Sequence, residues 1–169
     1  MELAKPWVDE KGYIAARLRE ALYEAELARE FLRNGLVRNA AGKAYQAWKA
    51  VVAALAAERR ETLARLYTGV KRLREGKRVS EADWVIAFMP STRLREVAKA
   101  LSEVYGDEVY YVTEVALSLH EYQYNGPDRE GVFSRYRTDK HAAKDVEHVV
   151  AIVEKYAASI KARLDAQSK

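Results

Sequence analysis

Apolar residues recur at three- and four-residue steps along most of this chain, and that period predicts helices. The first runs from Glu10 to Arg33, with Asp9 as its N-cap and a stripe of Ile14, Leu18, Ala21, Leu22, Ala25, Ala28 and Leu32. Arg and Glu fill its other face, and Gly35 ends it as a C-cap glycine. The second starts near Val37, with a stripe of Val37, Ala41, Ala44, Trp48, Val51 and Leu55. Its opening turns carry Ala40, Ala41, Gly42, Ala44 and Ala47, small enough for two helix backbones to approach closely, which fixes an antiparallel hairpin. Leu63, Leu66, Val70 and Leu73 continue the stripe through the basic stretch from Arg59 to Glu75. Either one helix reaches Glu75 or it breaks near Glu58–Arg60 and restarts; Arg59 and Arg60 interrupt the apolar side and favour the break.

Gly76 to Val79 reads as a turn. Ser80-Glu81-Ala82-Asp83 has the form of a capping box opening a short helix through Phe88, which Pro90 stops. Ser91 or Thr92 then caps a helix through Tyr105, with Gly106 as terminator. A further helix runs from Asp107 to about Tyr124, on a stripe of Val109, Val112, Ala116 and Leu119. Asn125-Gly126-Pro127-Asp128 is a strong loop signal, and the loop continues to about Arg137. The last helix begins at Thr138, with Ala142, Val146, Val149, Val153, Tyr156 and Ile160 in register, and Asp165 to Lys169 should fray. No strand is expected. The chain therefore reads as all-α: an antiparallel four-helix bundle with additional short helices in one domain, and a basic helical insertion at 58–90.

Composition narrows the function classes. The 169 residues are 49% hydrophobic and 32% charged, with a net charge of +4, which permits an anionic partner without demanding one. The absence of cysteine excludes disulfides, thiolate metal sites and a cysteine nucleophile, and fits a reducing interior. Scarce Asn, Gln and Met beside abundant Arg, Glu and Ala suggest a thermophile. The opening MELAKPWVDE lacks the apolar run of a secretion signal, and no uncharged apolar stretch is long enough to span a membrane, so a cytoplasmic protein is expected. GxxxxGK[ST] and GxGxxG are both absent, so neither an autonomous ATPase nor a dinucleotide enzyme is expected, and no cofactor is expected.

The hairpin FLRNGLVRNAAGKAYQAWKAVVAAL, a later helix ending LHEYQYNGPD, and a long final helix together resemble the HEPN-like superfamily, and within it the archaeal paREP type. The resemblance covers Glu10 to Ala57 and Tyr105 to Tyr156. It implies an antiparallel helical bundle, a homodimer, and involvement with nucleotides or RNA, often beside a small nucleotidyltransferase partner. It also implies a site. Members that cleave RNA carry an Arg, then four to six residues, then a His near the start of the last helix, and two subunits bring these motifs together. Arg135 and His141 have that spacing and position here, although Tyr136 stands where an Asn usually follows the Arg.

Metal-independent RNA cleavage deprotonates a 2′-OH and protonates the leaving oxygen, work that an imidazole does near neutrality. A guanidinium stabilises the charge that develops on phosphorus. His141 and Arg135 are the candidates for those roles, with Arg137, Lys140 and Arg129 as phosphate ligands; the alternative is that they are solvated residues beside a helix N-terminus. His141, Asp145 and His148 share a helix face, but the two imidazoles lie about 10 Å apart on a straight helix, too far for one ion, so no metal is expected. His120, Tyr122 and Tyr124 follow one another on the preceding helix, and six of the eleven tyrosines fall between Tyr105 and Tyr136. They either stack bases in the same cleft as His141 or plug the bundle with hydroxyls turned to water. Arg59, Arg60, Arg65, Lys71, Arg72, Arg74, Lys77 and Arg78 form a basic ridge opposed only by Glu61 and Glu75. It is read either as a phosphate-binding surface with strong salt dependence or as a solvated face. The expected function is RNA or nucleotide binding, with metal-independent ribonuclease activity in a defence or toxin–antitoxin system as its sharpest form. The alternative is a non-catalytic homo-oligomeric interaction module.

Overall fold

A computed structural model describes residues 4–167; residues 1–3 and the terminal Ser168 and Lys169, where part of the expected fraying falls, lie outside the described residues. Helix α1 spans Glu10–Arg33 and α2 spans Val37–Glu58. Asp9 caps α1 by accepting from the Gly12 N–H at 2.9 Å. At its other end the Leu36 N–H reaches Phe31 O at 2.9 Å and the Gly35 N–H reaches Leu32 O at 3.0 Å. This is a Schellman closure with Gly35 at φ +70°, a conformation a residue without Cβ adopts freely. The turn returns the chain as the antiparallel hairpin expected from the small residues that open α2.

Helix α2 is the hub of the molecule. It packs against α1, against α6 (Glu108–Asn125) and against α7 (Asp139–Ala166), and it also touches α5 (Ser91–Tyr105). A helix with neighbours on most sides must be apolar over most of its circumference. Accordingly Ala40, Ala41, Ala44, Ala47, Ala50, Ala53, Ala54, Ala56 and Ala57 are all buried. Their small side chains admit the neighbouring backbones, while Trp48, Tyr45 and Leu55 fill the larger gaps. A Cβ on Gly42 would lie 2.5 Å from the Gln123 side chain of α6, so this glycine marks a close approach of α2 and α6. The architecture is all-α, with α2 the most deeply buried of its long helices.

Residues 59–90 are where the sequence reading needs correction. The helix does break, at Arg59, and α3 (Arg60–Leu66) restarts it for less than two turns. It does not continue to Leu73. Val70–Arg72 (β1) pairs antiparallel with Arg78–Ser80 (β2), so the chain carries a small hairpin where no strand was expected and the segment is not purely helical. The Gly76 N–H closes the turn onto Leu73 O at 2.9 Å, and Gly76 sits at φ +78°. This is a tight turn completed by a left-handed glycine, a common hairpin solution. The Ser80 hydroxyl then caps α4 (Glu81–Phe88) by accepting from the Asp83 N–H at 3.0 Å, the first half of the expected capping box, while the Asp83 carboxylate turns to Arg60. The expected Ser91 or Thr92 cap on α5 is absent. Pro90 occupies the N-cap position, and the Ser91 hydroxyl is instead paired with the Tyr45 hydroxyl at 2.6 Å.

Arg60 ties α3 to α4 with two 2.6 Å bonds to the carboxylate of Asp83, which is buried. Arg60→Ala is expected to leave that carboxylate without its counter-charge and to cost about 1–3 kcal/mol. Urea unfolding of Arg60→Ala beside Arg60→Ala/Asp83→Ala measures it, because removing both partners should recover part of the loss.

Candidate functional site

The loop between α6 and α7 is built around Asp128. Its carboxylate accepts from the Glu130, Gly131 and Phe133 N–H groups at 3.0, 3.2 and 2.7 Å. These backbone donors, Phe133 first, hold its pKa below the usual carboxylate value. The Asp128 N–H in turn donates to Tyr136 O at 2.8 Å, so the start and end of the loop are clamped together. That clamp presents Arg129 and Arg137 on the same side as the first turn of α7. Thr138 caps α7 by accepting from the His141 N–H at 3.4 Å. Arg129, Arg137, Thr138 and His141 line an open cleft of about 370 Å³. Two guanidiniums and an imidazole thus gather at the N-terminus of a long helix, whose dipole favours anions.

Arg135 is not among the residues lining this cleft. Its guanidinium donates to the Ser118 hydroxyl on α6 at 2.9 Å. The motif therefore delivers His141 to the cleft but sends its Arg elsewhere, and Arg137 and Arg129 stand beside the imidazole instead. Lys140 is exposed on the first turn of α7.

The tyrosines divide. Tyr122 is fully buried and cannot line the cleft; its hydroxyl donates to Asp139, and its ring meets Tyr136 edge-on at 5.5 Å. Tyr136 is also buried and donates to Asp145 at 2.6 Å. Burial, reinforced by the carboxylate partner, raises both phenol pKa values. These residues anchor the start of α7 to α6, with hydroxyls spent on carboxylates rather than turned to water. Asp145 is thereby engaged, and among the described residues no group of three or more His, Asp or Glu is placed to hold a metal ion. Sequence reasoning missed Arg38, which bonds the Gln123 carbonyl at 3.1 Å and that of Tyr124, satisfying the end of α6. A cation at the start of α2 gives no sequence signal of a partner so far along the chain.

His120 does not share the His141 cleft. It stacks on Tyr45 at 4.1 Å between ring centroids, with Tyr124 edge-on at 5.3 Å. Its Nδ1 is buried without a hydrogen-bond partner. Burial lowers its pKa, with Lys49 acting in the same direction and Gln123 and Glu121 opposing. The unfolded chain therefore takes up a proton before the folded one does. Stability should fall as pH drops through about 6.5 and level off below the folded pKa. Thermal unfolding between pH 8 and 5 is expected to show this loss in the wild type and less of it in His120→Phe.

The basic ridge is not one surface. Arg60 is consumed by Asp83, Arg59 lies over the Tyr105 ring at 5.7 Å, and Lys71 lies over Trp84 at 5.3 Å, near Glu81. Arg65 is exposed on α3. Arg72, Arg74, Lys77 and Arg78 project from the hairpin and form no ion pair among the described residues. They line a second, larger cleft of about 880 Å³, walled by the segment 4–8 and by α4. No described helix is long and apolar enough to cross a membrane.

An all-α protein with two cationic clefts, one carrying an exposed imidazole, is what fold and surface define. The chain belongs to the Archaeal PaREP1/PaREP8 family, whose model matches residues 16–147, from within α1 to within α7. No curated protein and no solved structure matches it.

Proposed function

We infer that this protein is an RNA-binding, HEPN-like protein that cleaves RNA without a metal at the His141 cleft. The observation that carries this reading is the grouping of His141 with Arg137 and Arg129 at the α7 N-terminus. The 2′-oxygen of the RNA attacks the adjacent phosphorus, the 5′-oxygen leaves, and a 2′,3′-cyclic phosphate and a 5′-hydroxyl result. His141 moves a proton at one of these oxygens, and Arg137 and Arg129 bind the phosphate and stabilise its added charge. In a homodimer the two copies of His141 divide the work: one imidazole takes the proton of the 2′-OH and the other, protonated, gives one to the departing 5′-oxygen. Val132 and Phe133, exposed on the loop that carries Arg129, are the apolar surface offered to that copy.

The second reading is a non-catalytic interaction module, able to pair with a nucleotidyltransferase. It is favoured by the bond that ties Arg135 to Ser118 and by Tyr136 in the place of Asn. Labelled single-stranded RNA incubated in EDTA with wild type and with His141→Ala separates the two. Cleavage by the wild type alone supports the ribonuclease; equal behaviour of the two proteins contradicts it.

A further inference from the structure

We propose that the cleft between the β1–β2 hairpin, α4 and the segment 4–8 binds single-stranded nucleic acid, with bases stacked on its aromatic wall and phosphates on its cationic rim. The inference deepens the RNA-binding reading but uses none of the His141 residues. Three observations carry it. The first is size: about 880 Å³ lies at the upper end of the range of small-molecule sites and accommodates more than one nucleotide. The second is the wall. Trp84 and Phe88 are one helical turn apart on α4, with ring centroids 5.5 Å apart, and Trp7 faces the same space from the segment 4–8. Phe88 is 55% exposed and borders this concavity, so its ring face is open to a base. The third is the rim. Arg74, Lys77 and Arg78 are exposed on the hairpin without ion-pair partners among the described residues, opposed in the lining only by Glu75.

Flat aromatic surface beside unpaired cations is the combination that single strands require. Every base offers a π-face to an aromatic ring, and every phosphate offers a charge to Lys or Arg. A duplex hides its base faces, so it can use the rim but not the wall. An acidic protein surface would likewise use only the rim. The floor of the cleft is held rigidly. The Tyr13 hydroxyl donates to Ile86 O at 2.5 Å and Arg17 donates to Ala87 O at 2.7 Å, pinning the last turn of α4 to α1.

Intrinsic fluorescence reads the cleft directly, because Trp48 is fully buried while Trp7 and Trp84 border the space. Short unstructured oligoadenylate RNA is titrated into His141→Ala at low salt, so that neither cleavage nor its absence affects the result. Saturable quenching is expected. Lys77→Glu/Arg78→Glu should weaken binding by roughly tenfold or more and flatten the dependence on salt by about one unit of slope per removed contact. Phe88→Ala, an exposed position whose loss leaves the core intact, should weaken binding by roughly five- to hundredfold with the salt slope unchanged. Absence of binding at low salt overturns the proposal. So does a duplex that binds as tightly as the single strand, or a Phe88→Ala protein with unchanged affinity. Adenosine monophosphate binding as tightly as the oligomer overturns the polynucleotide assignment. Binding here with no cleavage by the wild type would sink the ribonuclease reading and leave this site standing.

Discussion

Trp48→Ala is expected to cost about 3–5 kcal/mol of stability, the loss typical of a large aromatic removed from a packed core. Trp48 lies on α2, the helix that every other long helix touches, and its side chain is fully buried. Its ring meets Tyr156 of α7 edge-on at 5.5 Å, and its indole N–H donates to the Thr113 hydroxyl of α6 at 2.8 Å. The one side chain therefore joins three helices. Truncation opens a cavity at the centre of the hub, and the alanines lining α2 have no reach with which to fill it. The Thr113 hydroxyl keeps its own bond to Val109 O, so little of the penalty arises from an orphaned donor. Thr113→Val isolates that smaller part, leaving the indole N–H unpaired for about 1–3 kcal/mol. Chemical denaturation of both variants checks the account; a loss below about 1 kcal/mol for Trp48→Ala would mean that α2 is not the hub of the core.

His141→Ala is expected to lower metal-independent RNA cleavage by about 10²–10⁴-fold, the range for removal of a positioned general acid or base. Arg137→Ala should follow, with a loss of about 10²–10³-fold if its guanidinium meets the charge on the phosphate. Arg135→Ala should be nearly silent, because that side chain is spent on Ser118 of α6. The contrast between the two arginines is the sharper test. The family resemblance implies Arg135 as the partner of His141, whereas Arg137 is the arginine that lines the His141 cleft. Rates on one labelled RNA in EDTA decide it, and a large loss in Arg135→Ala with none in Arg137→Ala would show that Arg135 leaves Ser118 to act. His141 is exposed, so its replacement should leave the unfolding midpoint where it is.

What was legible in the sequence was local. Asp9, Gly35 and Ser80 announced helix ends because capping uses backbone groups only a few residues away. The small residues of α2 announced a close approach because only backbones can occupy the space they leave. The hairpin at Val70–Ser80 is hidden in the sequence because Leu63, Leu66, Val70 and Leu73 fall by coincidence at helical spacing. Two strands of three residues are too short to show an alternation of their own. Gly76 marks the turn, and Gly69 is the further signal, since it interrupts a helix that the apolar spacing would otherwise extend.

The site was legible in its residue types but not in its partnerships. His141, Arg137 and Arg129 come together because the Asp128 clamp folds the loop back on itself, and the NGPD signal marked that loop without giving its shape. The diversion of Arg135 depends on the height of Ser118 along α6 relative to the loop, a tertiary register that no local pattern encodes. Tyr122 and Tyr124 are neighbours in sequence, yet residues two apart on a helix face different sides. One is buried against Asp139 and the other edges His120. The aromatic cleft has no local pattern either: Trp7 and Trp84 are far apart in the chain and border one space only once α4 is pinned to α1.

The most direct test of the central claim is the chemistry of the product ends. RNA cleaved by the wild-type protein in EDTA should carry 2′,3′-cyclic phosphate and 5′-hydroxyl termini, and His141→Ala should yield neither. Products ending in 3′-hydroxyl and 5′-phosphate, or cleavage that disappears in EDTA, would contradict a metal-independent attack by the 2′-oxygen at His141.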